Sequence, residues 1–286
     1  AIITRELSKA GAIAGYDLVL TITNAIPEFI AYSILSKYIL HGQIYLAKLR
    51  AAQPHLNSEE LGNCFAVVPP PDEQEVIVRF LDKKTAEIDA LIAVKRELLG
   101  LLKEKRQSLI THAVTKGLDP NVKLKPSGIE WLGEVPEHWA VIQLKYAVTF
   151  QRGHDLPSDV REMGDIPVVS SAGINSWHNK AVAKGPALVT GRYGTIGTFQ
   201  LINQDYWPLN TTLYSIDLRD NDVRFLWYML HNLKEIFLIN SIKSAVPGID
   251  RNDLHPTLVA VPKTLEEQRS IADYLDTETE KLDRLS

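Results

Sequence analysis

One series of residues recurs in this chain. Glu73, Gln74, Ile77, Leu81, Asp82, Thr85, Asp89 and Leu91 reappear as Glu267, Gln268, Ile271, Leu275, Asp276, Thr279, Asp283 and Leu285, at one constant offset and without a gap. Upstream, after a one-residue slip, Ala52, Pro54 and Leu61 match Ala245, Pro247 and Leu254, and Leu56 and Asn57 face the similar Ile249 and Asp250. Further up, Phe29 and Tyr32 match Phe225 and Tyr228. Such a repeat predicts two related units, each a domain followed by a helix that opens on the same residues. The first copy lacks a counterpart of the segment from about Trp139 to about Leu201, and its helix outruns the second. The chain therefore reads as the middle and end of a longer two-copy protein, cut at both ends, and Ala1 stands where a methionine would open a complete one.

The first of the two helices is expected over Asp72 to Val114. Pro69-Pro70-Pro71 cannot continue a strand ladder and suits a helix start. Asp72 and Glu73 put negative charge in the first turn, where the helix dipole favours it. Leu81, Ile88, Leu102 and Leu109 fall at sevenfold spacing, with Ile77, Leu91 and Leu98 in the complementary heptad positions. That is a coiled-coil seam, interrupted by Lys84, Lys95 and Lys105. At 1.5 Å per residue it is roughly 60 Å long and needs a partner.

Composition sets outer bounds. A chain of 286 residues with 45% hydrophobic and 23% charged side chains is long enough for two ordinary soluble domains. A formal net charge of -4 does not advertise a nucleic-acid binder, though segregated charge can still build a basic face. The single cysteine, Cys64, excludes an internal disulfide framework and fits a reducing, cytoplasmic setting. No apolar run is long enough for a membrane span, and no signal peptide is evident.

Along the chain, Tyr16 to Ile22 reads as strand, Ile26 to Leu40 as an amphipathic helix, and Ser58 to Leu61 as a helix start. Phe65-Ala66-Val67-Val68 reads as a short buried strand. After the long helix, Gly117, Pro120, Pro126, Gly128, Gly133 and Pro136 mark a linker in which Ile129, Trp131 and Leu132 look anchored. Trp139 to Val261 reads as a mixed, mostly strand domain. Its clearest strands are Val141–Leu144, Ile166–Val169, Ala187–Thr190 and Thr212–Ile216, and its clearest helix is Asn221–Asn240. A second helix begins near Lys263.

No catalytic constellation is found. There is no Gly-x-x-x-x-Gly-Lys phosphate loop, no zinc-type Cys/His cluster and no Asn-Pro-Pro-aromatic methyltransferase signature. Gly191, Gly194 and Gly197 are spaced as in some nucleotide loops, but strand-like residues flank them and no Lys-Ser/Thr follows, which favours a tight hairpin.

Four motifs resemble the specificity subunit of type I restriction-modification systems. They are Pro-Glu-His-Trp at residues 136–139, Gly-Arg-Tyr-Gly-Thr-Ile-Gly at 191–197, Ser-Ala-Val-Pro-Gly-Ile-Asp-Arg at 244–251, and Leu-Glu-Glu-Gln at 265–268 followed by Ile271, Tyr274, Leu275 and Asp276. The resemblance implies an α+β chain with two repeated target recognition domains joined by long antiparallel coiled-coil spacer helices. Residues 1–68 would be the C-terminal part of the first recognition domain, 69–115 the first conserved spacer helix and 116–135 a linker. Residues 136–262 would be the second recognition domain and 263–286 the start of the second spacer helix. Helix pairing would use Ile77, Leu81, Ile88, Leu91, Leu98, Leu102 and Leu109 with Ile271, Leu275 and Leu282.

The same resemblance implies a non-catalytic subunit that recognises a bipartite double-stranded DNA target. It would dock DNA methyltransferase subunits and, indirectly, restriction subunits. No cofactor is expected in this chain; S-adenosylmethionine belongs to the methyltransferase partner. DNA reading needs loop side chains that donate to phosphates and base edges. Candidates are Gln151, Arg152, Ser170, Ser171, Asn175, His178, Lys180, Arg192, Tyr193, Thr195, Lys243, Ser244 and Arg251, although Asn175 equally suits a turn-shaping role. From Trp139 to Pro262 basic and acidic side chains balance, so weak intrinsic DNA affinity, strengthened by partner subunits, is expected. Three other readings stay open: the recognition end of a fused restriction or methylation enzyme, a half-subunit acting as a homodimer, and a helical dimerisation module that reads no DNA.

Overall fold

A computed structural model describes Leu18 and residues 20–48, 56–241 and 248–285. The chain divides into two units, Ala1–Glu97 and Leu98–Ser286, with the division inside one continuous helix, Pro71–Lys116.

In the first unit, helix α1 (Pro27–Leu35) starts with proline at its N-terminus and stops at Ser36. Ser36 is extended, and its hydroxyl accepts from the Ile39 amide, so the single helix expected over Ile26–Leu40 breaks there. A π-helix, Lys37–Ile44, and a short α-helical turn, Tyr45–Lys48, follow. Helix α2 (Ser58–Gly62) opens on a capping box in which Asn57 and Glu60 serve each other's backbone amides. The long helix, α3 (Pro71–Lys116), begins at the last of the three prolines.

The strand expected at Phe65–Val68 does not form. Phe65 and Val67 are 77% and 78% exposed, and the amide and carbonyl of Phe65 are taken by the Gln43 side chain at 2.7 and 2.9 Å. The repeat matches this stretch to strand Leu258–Val261 of the second unit, which pairs with Ala140–Gln143. The first copy has no counterpart of that partner among the described residues, and an unpaired strand has no ladder to stabilise it. The strand expected at Tyr16–Ile22 lies partly outside the described residues, and Leu18 and residues 20–22 carry no strand.

In the second unit α3 ends at Gly117, whose positive φ of 75° and amide bond to the Ala113 carbonyl close the helix. The expected linker contains an antiparallel ribbon, β1 (Leu124–Pro126) with β2 (Glu134–Pro136). Its prolines sit at strand termini, where no ladder donor is needed. Strand β3 (Ala140–Gln143) pairs antiparallel with the last strand, β11 (Leu258–Val261). Between them lie β4 (Thr149–Arg152), β5 (Ile166–Ser170), β6 (Gly173–His178), β7 (Ala187–Gly191), β8 (Phe199–Ile202), β9 (Trp207–Pro208) and β10 (Thr212–Asp217). Four form one antiparallel sheet in the order β4-β10-β7-β8, and three form another in the order β6-β5-β9. The helix expected over Asn221–Asn240 is two, α4 (Val223–Asn232) and α5 (Lys234–Ser241), separated at Leu233. Helices α6 (Arg251–Leu254) and α7 (Leu265–Asp283) complete the unit.

Two apolar cores sandwich the four-stranded sheet. Leu188, Phe199 and Leu213 face a large core shared with Trp139, α4, α7 and the Ile110–Val114 end of α3. Ala187, Val189, Ile202 and Tyr214 face a smaller core with Val169 and Tyr206. Side chains alternate between faces along a strand, and both faces are covered, so β7 is buried at every residue and Ala187, Leu188 and Val189 are apolar in succession. Thr111 Oγ1 lies 2.5 Å from Asn232 Oδ1, and Arg106 pairs with Asp283, tying the end of α3 into this unit.

Of the residues expected to pair helices, Ile271, Leu275 and Leu282 are buried, the first two within the core that holds α4. Ile88, Leu91 and Leu98 are 55%, 58% and 41% exposed, so among the described residues nothing covers the middle of the seam. Ile77, Leu81, Leu102 and Leu109 are half-buried.

Candidate nucleic-acid interface

The turn Leu209–Thr211, between β9 and β10, gathers the loop ends of the second unit. Pro208 and Asn210 favour a turn here, and the Thr212 amide and hydroxyl both donate to the Leu209 carbonyl, at 2.9 and 2.7 Å. The turn then bonds outward in four directions. The Leu209 amide reaches the Val169 carbonyl of β5 at 2.8 Å, and the Asn210 amide reaches that of His154 at 2.9 Å. The Arg192 amide donates to the Thr211 carbonyl at 2.9 Å, and the Ser171 amide to Thr211 Oγ1 at 3.4 Å. Gly153 permits the close approach: a Cβ there would stand 2.2 Å from the Leu209 carbonyl oxygen.

On this knot the candidate side chains converge. The guanidinium groups of Arg152 and Arg192 both donate to the Asn210 carbonyl oxygen, each at 3.4 Å. Arg192 also lies against the Tyr193 ring, 5.3 Å from its centroid. Tyr193 is 45% exposed and packs on the backbone of Gly248. The hairpin expected at 191–197 forms between β7 and β8, with Thr195 donating to the Ser171 carbonyl at 2.6 Å. Gly191 leaves room for it, since a Cβ would meet Thr195 Oγ1 at 2.0 Å. Gln151 and His154 both reach the Tyr214 hydroxyl, at 3.2 and 3.1 Å, and burial holds that phenol above its ordinary pKa, so it stays neutral.

Other candidates serve the fold or stand apart. Ser170 is buried and donates to the Gly173 carbonyl at 2.9 Å, while Asn175 donates to Ser170 Oγ at 3.2 Å, so both shape the β5–β6 turn. His178 is 6% exposed, accepts from the Glu162 amide at Nδ1 and stacks edge-on against Trp207, which withdraws it from any surface ligand. Lys180 and Arg251 are exposed and take no part in the knot. Lys243 and Ser244 lie outside the described residues. Sequence reasoning missed Asn210, Thr211 and Tyr214; Pro-Leu-Asn before a strand was the available signal for the turn, whereas nothing local marks Tyr214.

Among the described residues no group of three or more His, Cys, Asp and Glu side chains is placed to hold a metal ion, and no helix is long and apolar enough to cross a membrane. What the rim offers is a cluster of guanidinium, hydroxyl and amide donors on a hydrogen-bonded turn, the inventory that contacts phosphates and base edges.

Residues 136–285, which hold this rim, match the type I restriction modification DNA specificity domain. The chain belongs to that family. The MjaVIII specificity subunit of a type I restriction enzyme from Methanocaldococcus jannaschii is 30% identical over 100 residues, 35% of this chain and 22% of that protein. The putative MjaX specificity subunit of the same organism is 29% identical over the same shares of each chain. A solved chain from a study of complex assembly and conformational transition in the type I R-M system has a TM-score of 0.68 at 21% identity, covering 91% of this chain and 65% of that one. The HsdS subunit from Thermoanaerobacter tengcongensis has a TM-score of 0.55 at 21% identity, covering 91% and 64%. The matches thus span about a fifth of the curated relatives and just under two thirds of these solved chains, and at this identity the solved structures speak for the fold.

Proposed function

We propose that this chain is part of a DNA sequence-specificity subunit, without catalysis of its own, in a type I restriction-modification complex. The observation that carries the reading is the convergence of Arg152, Arg192, Tyr193, Ser171 and Thr195 around one turn, inside the segment that matches the specificity domain. In this reading the protein recognises a bipartite target, one half-site per recognition domain, and docks methyltransferase subunits and through them restriction subunits. S-adenosylmethionine binds the methyltransferase partner. The helices form an antiparallel coiled-coil spacer whose length sets the unread base pairs between half-sites. The uncovered seam at Ile88, Leu91 and Leu98 supports a helix partner, supplied by the second copy in a longer chain or by another subunit in a homodimer.

The test is methylome mapping in cells carrying the wild-type gene, Arg152→Gln or Arg192→Gln, each with its methyltransferase. Arginine to guanine O6 and N7 is a common specific contact, and losing a bidentate pair costs about 1–3 kcal/mol at one base pair. The variants should relax the motif at one position of one half-site. A motif identical to wild type in both variants, at equal protein abundance, refutes these residues as readers; no gene-dependent motif refutes the specificity function.

A further inference from the structure

Each copy of the repeat fastens a domain helix to a spacer helix at the same two points. In the first, Gln74 in the opening turn of α3 accepts from the Ile26 amide at 2.8 Å, at the N-cap of α1. Two turns further along α3, Asp82 accepts from the Tyr32 hydroxyl of α1 at 2.8 Å, and Thr85 Oγ1 lies 3.3 Å from that hydroxyl. In the second, Gln268 of α7 accepts from the Asp222 amide at 2.8 Å, at the N-cap of α4. Asp276 accepts from Tyr228 at 2.7 Å, and Thr279 Oγ1 is again 3.3 Å away. Gln74 and Gln268 are only 2% and 3% exposed, and their amide nitrogens also find carbonyl partners, at Pro69 and Pro262. Burying a side-chain amide is costly unless its hydrogen bonds are met, so these positions are specified and not incidental.

We infer that this duplicated two-point clamp, Gln to N-cap amide and Tyr to Asp, fixes the angle between each recognition domain and its spacer helix, and thereby the spacing of half-sites the protein accepts. The inference rests on the DNA-reading function proposed above and names the residues that position it. Apolar packing between α4 and α7, through Phe225, Ile271 and Leu275, is strong but non-directional. Two directional anchors eight residues apart, about 12 Å along a helix, block both sliding and rotation. The demand is strict: a tilt of about 10° moves the far side of a domain about 30 Å across by roughly 5 Å, more than the ~3.4 Å rise of a base pair. Burial pushes the Tyr228 phenol up to about 12, so it remains a donor throughout the physiological range.

Two measurements on the full-length protein with its methyltransferase test this. In Cys64→Ser protein, spin labels at Thr198 and Glu280, both exposed, report the domain-to-helix distance. Tyr228→Phe and Asp276→Leu should broaden that distribution, while Asp276→Asn, which keeps an acceptor oxygen, should leave it narrow. Duplexes whose half-sites are one base pair too close or too far should then be discriminated about fivefold less well by the first two variants, the worth of one net hydrogen bond, with isolated half-site affinity unchanged. An unbroadened distribution in both variants overturns the clamp. Broadening with wild-type discrimination overturns its link to spacing. A wild-type protein that selects no duplex overturns DNA reading instead, while the spin labels still decide the clamp.

Discussion

Replacing Leu275 by alanine separates core from seam. Leu275 is fully buried beside Ile271 and Phe225, whereas Leu98, in the same unit and on the heptad seam of α3, is 41% exposed. A buried Leu→Ala change costs the transfer of the lost methyl groups plus the cavity left behind, typically 2–5 kcal/mol. With both sides of Leu275 walled by fully buried neighbours, little collapse can fill the gap, so about 3 kcal/mol is expected. For a unit of this size that lowers Tm by roughly 6–12 °C, and at a urea slope of about 2 kcal/mol/M it lowers the midpoint by about 1.5 M. Leu98→Ala should stay within about 0.5 kcal/mol, because it removes exposed area and alanine is a good helix former. The assay is built in: Trp131, Trp139, Trp177, Trp207 and Trp227 all lie in the second unit, so their fluorescence reports its unfolding alone. Equal losses in the two variants would mean that the seam is already covered in the free protein. A loss below about 1 kcal/mol for Leu275→Ala would sink the account of the core.

Two further outcomes concern the second unit. Gly153→Ala should destabilise the second unit by about 1–3 kcal/mol and weaken duplex binding together, because the added methyl collides with the Leu209 carbonyl; thermal melts and binding titrations showing neither loss would refute the close approach. His255 accepts from the Phe150 amide at 2.9 Å, and burial, followed by Arg251 and Lys145, lowers its pKa below the usual 6.5. Its folded-state pKa lies under the unfolded one, so its contribution is present above about pH 6.5 and lost as pH falls through the lowered value. Urea midpoints should therefore drop between pH 8 and 5.5, and less so in His255→Gln; identical drops would exclude His255, leaving the half-buried His231, whose pKa is lowered likewise, as the alternative source.

Where periodicity and burial agree, the fold was legible. Four strand centres lie where their runs of strand formers predicted, because β7 and the first four residues of β10 are buried on both faces of the sheet. The misreadings have distant causes. Phe65–Val68 has strand composition but no partner strand among the described residues, and partnership is not a local property. Ser36 breaks a helix through one hydroxyl, and Leu233 separates two helices that hydropathy joins. At the candidate site, glycines and arginines stood out because hairpins and phosphates demand them. Asn210 and Tyr214 did not, because their roles arise only when four loop ends meet. The burial of His178 is equally hidden in the sequence: a histidine among polar loop residues looks exposed until Trp207 packs edge-on against it.

The doubly covered sheet also divides the domain by mutational tolerance. Every residue of β7 is buried, so a change there is felt by one core or the other. The turns at its end carry the donors and reach the large core only through Ile196. Sequence change at those turns can re-aim the donors while most of the two cores stays intact. If the donors read DNA as proposed above, a few turn residues would suffice to change the target without redesigning what they stand on.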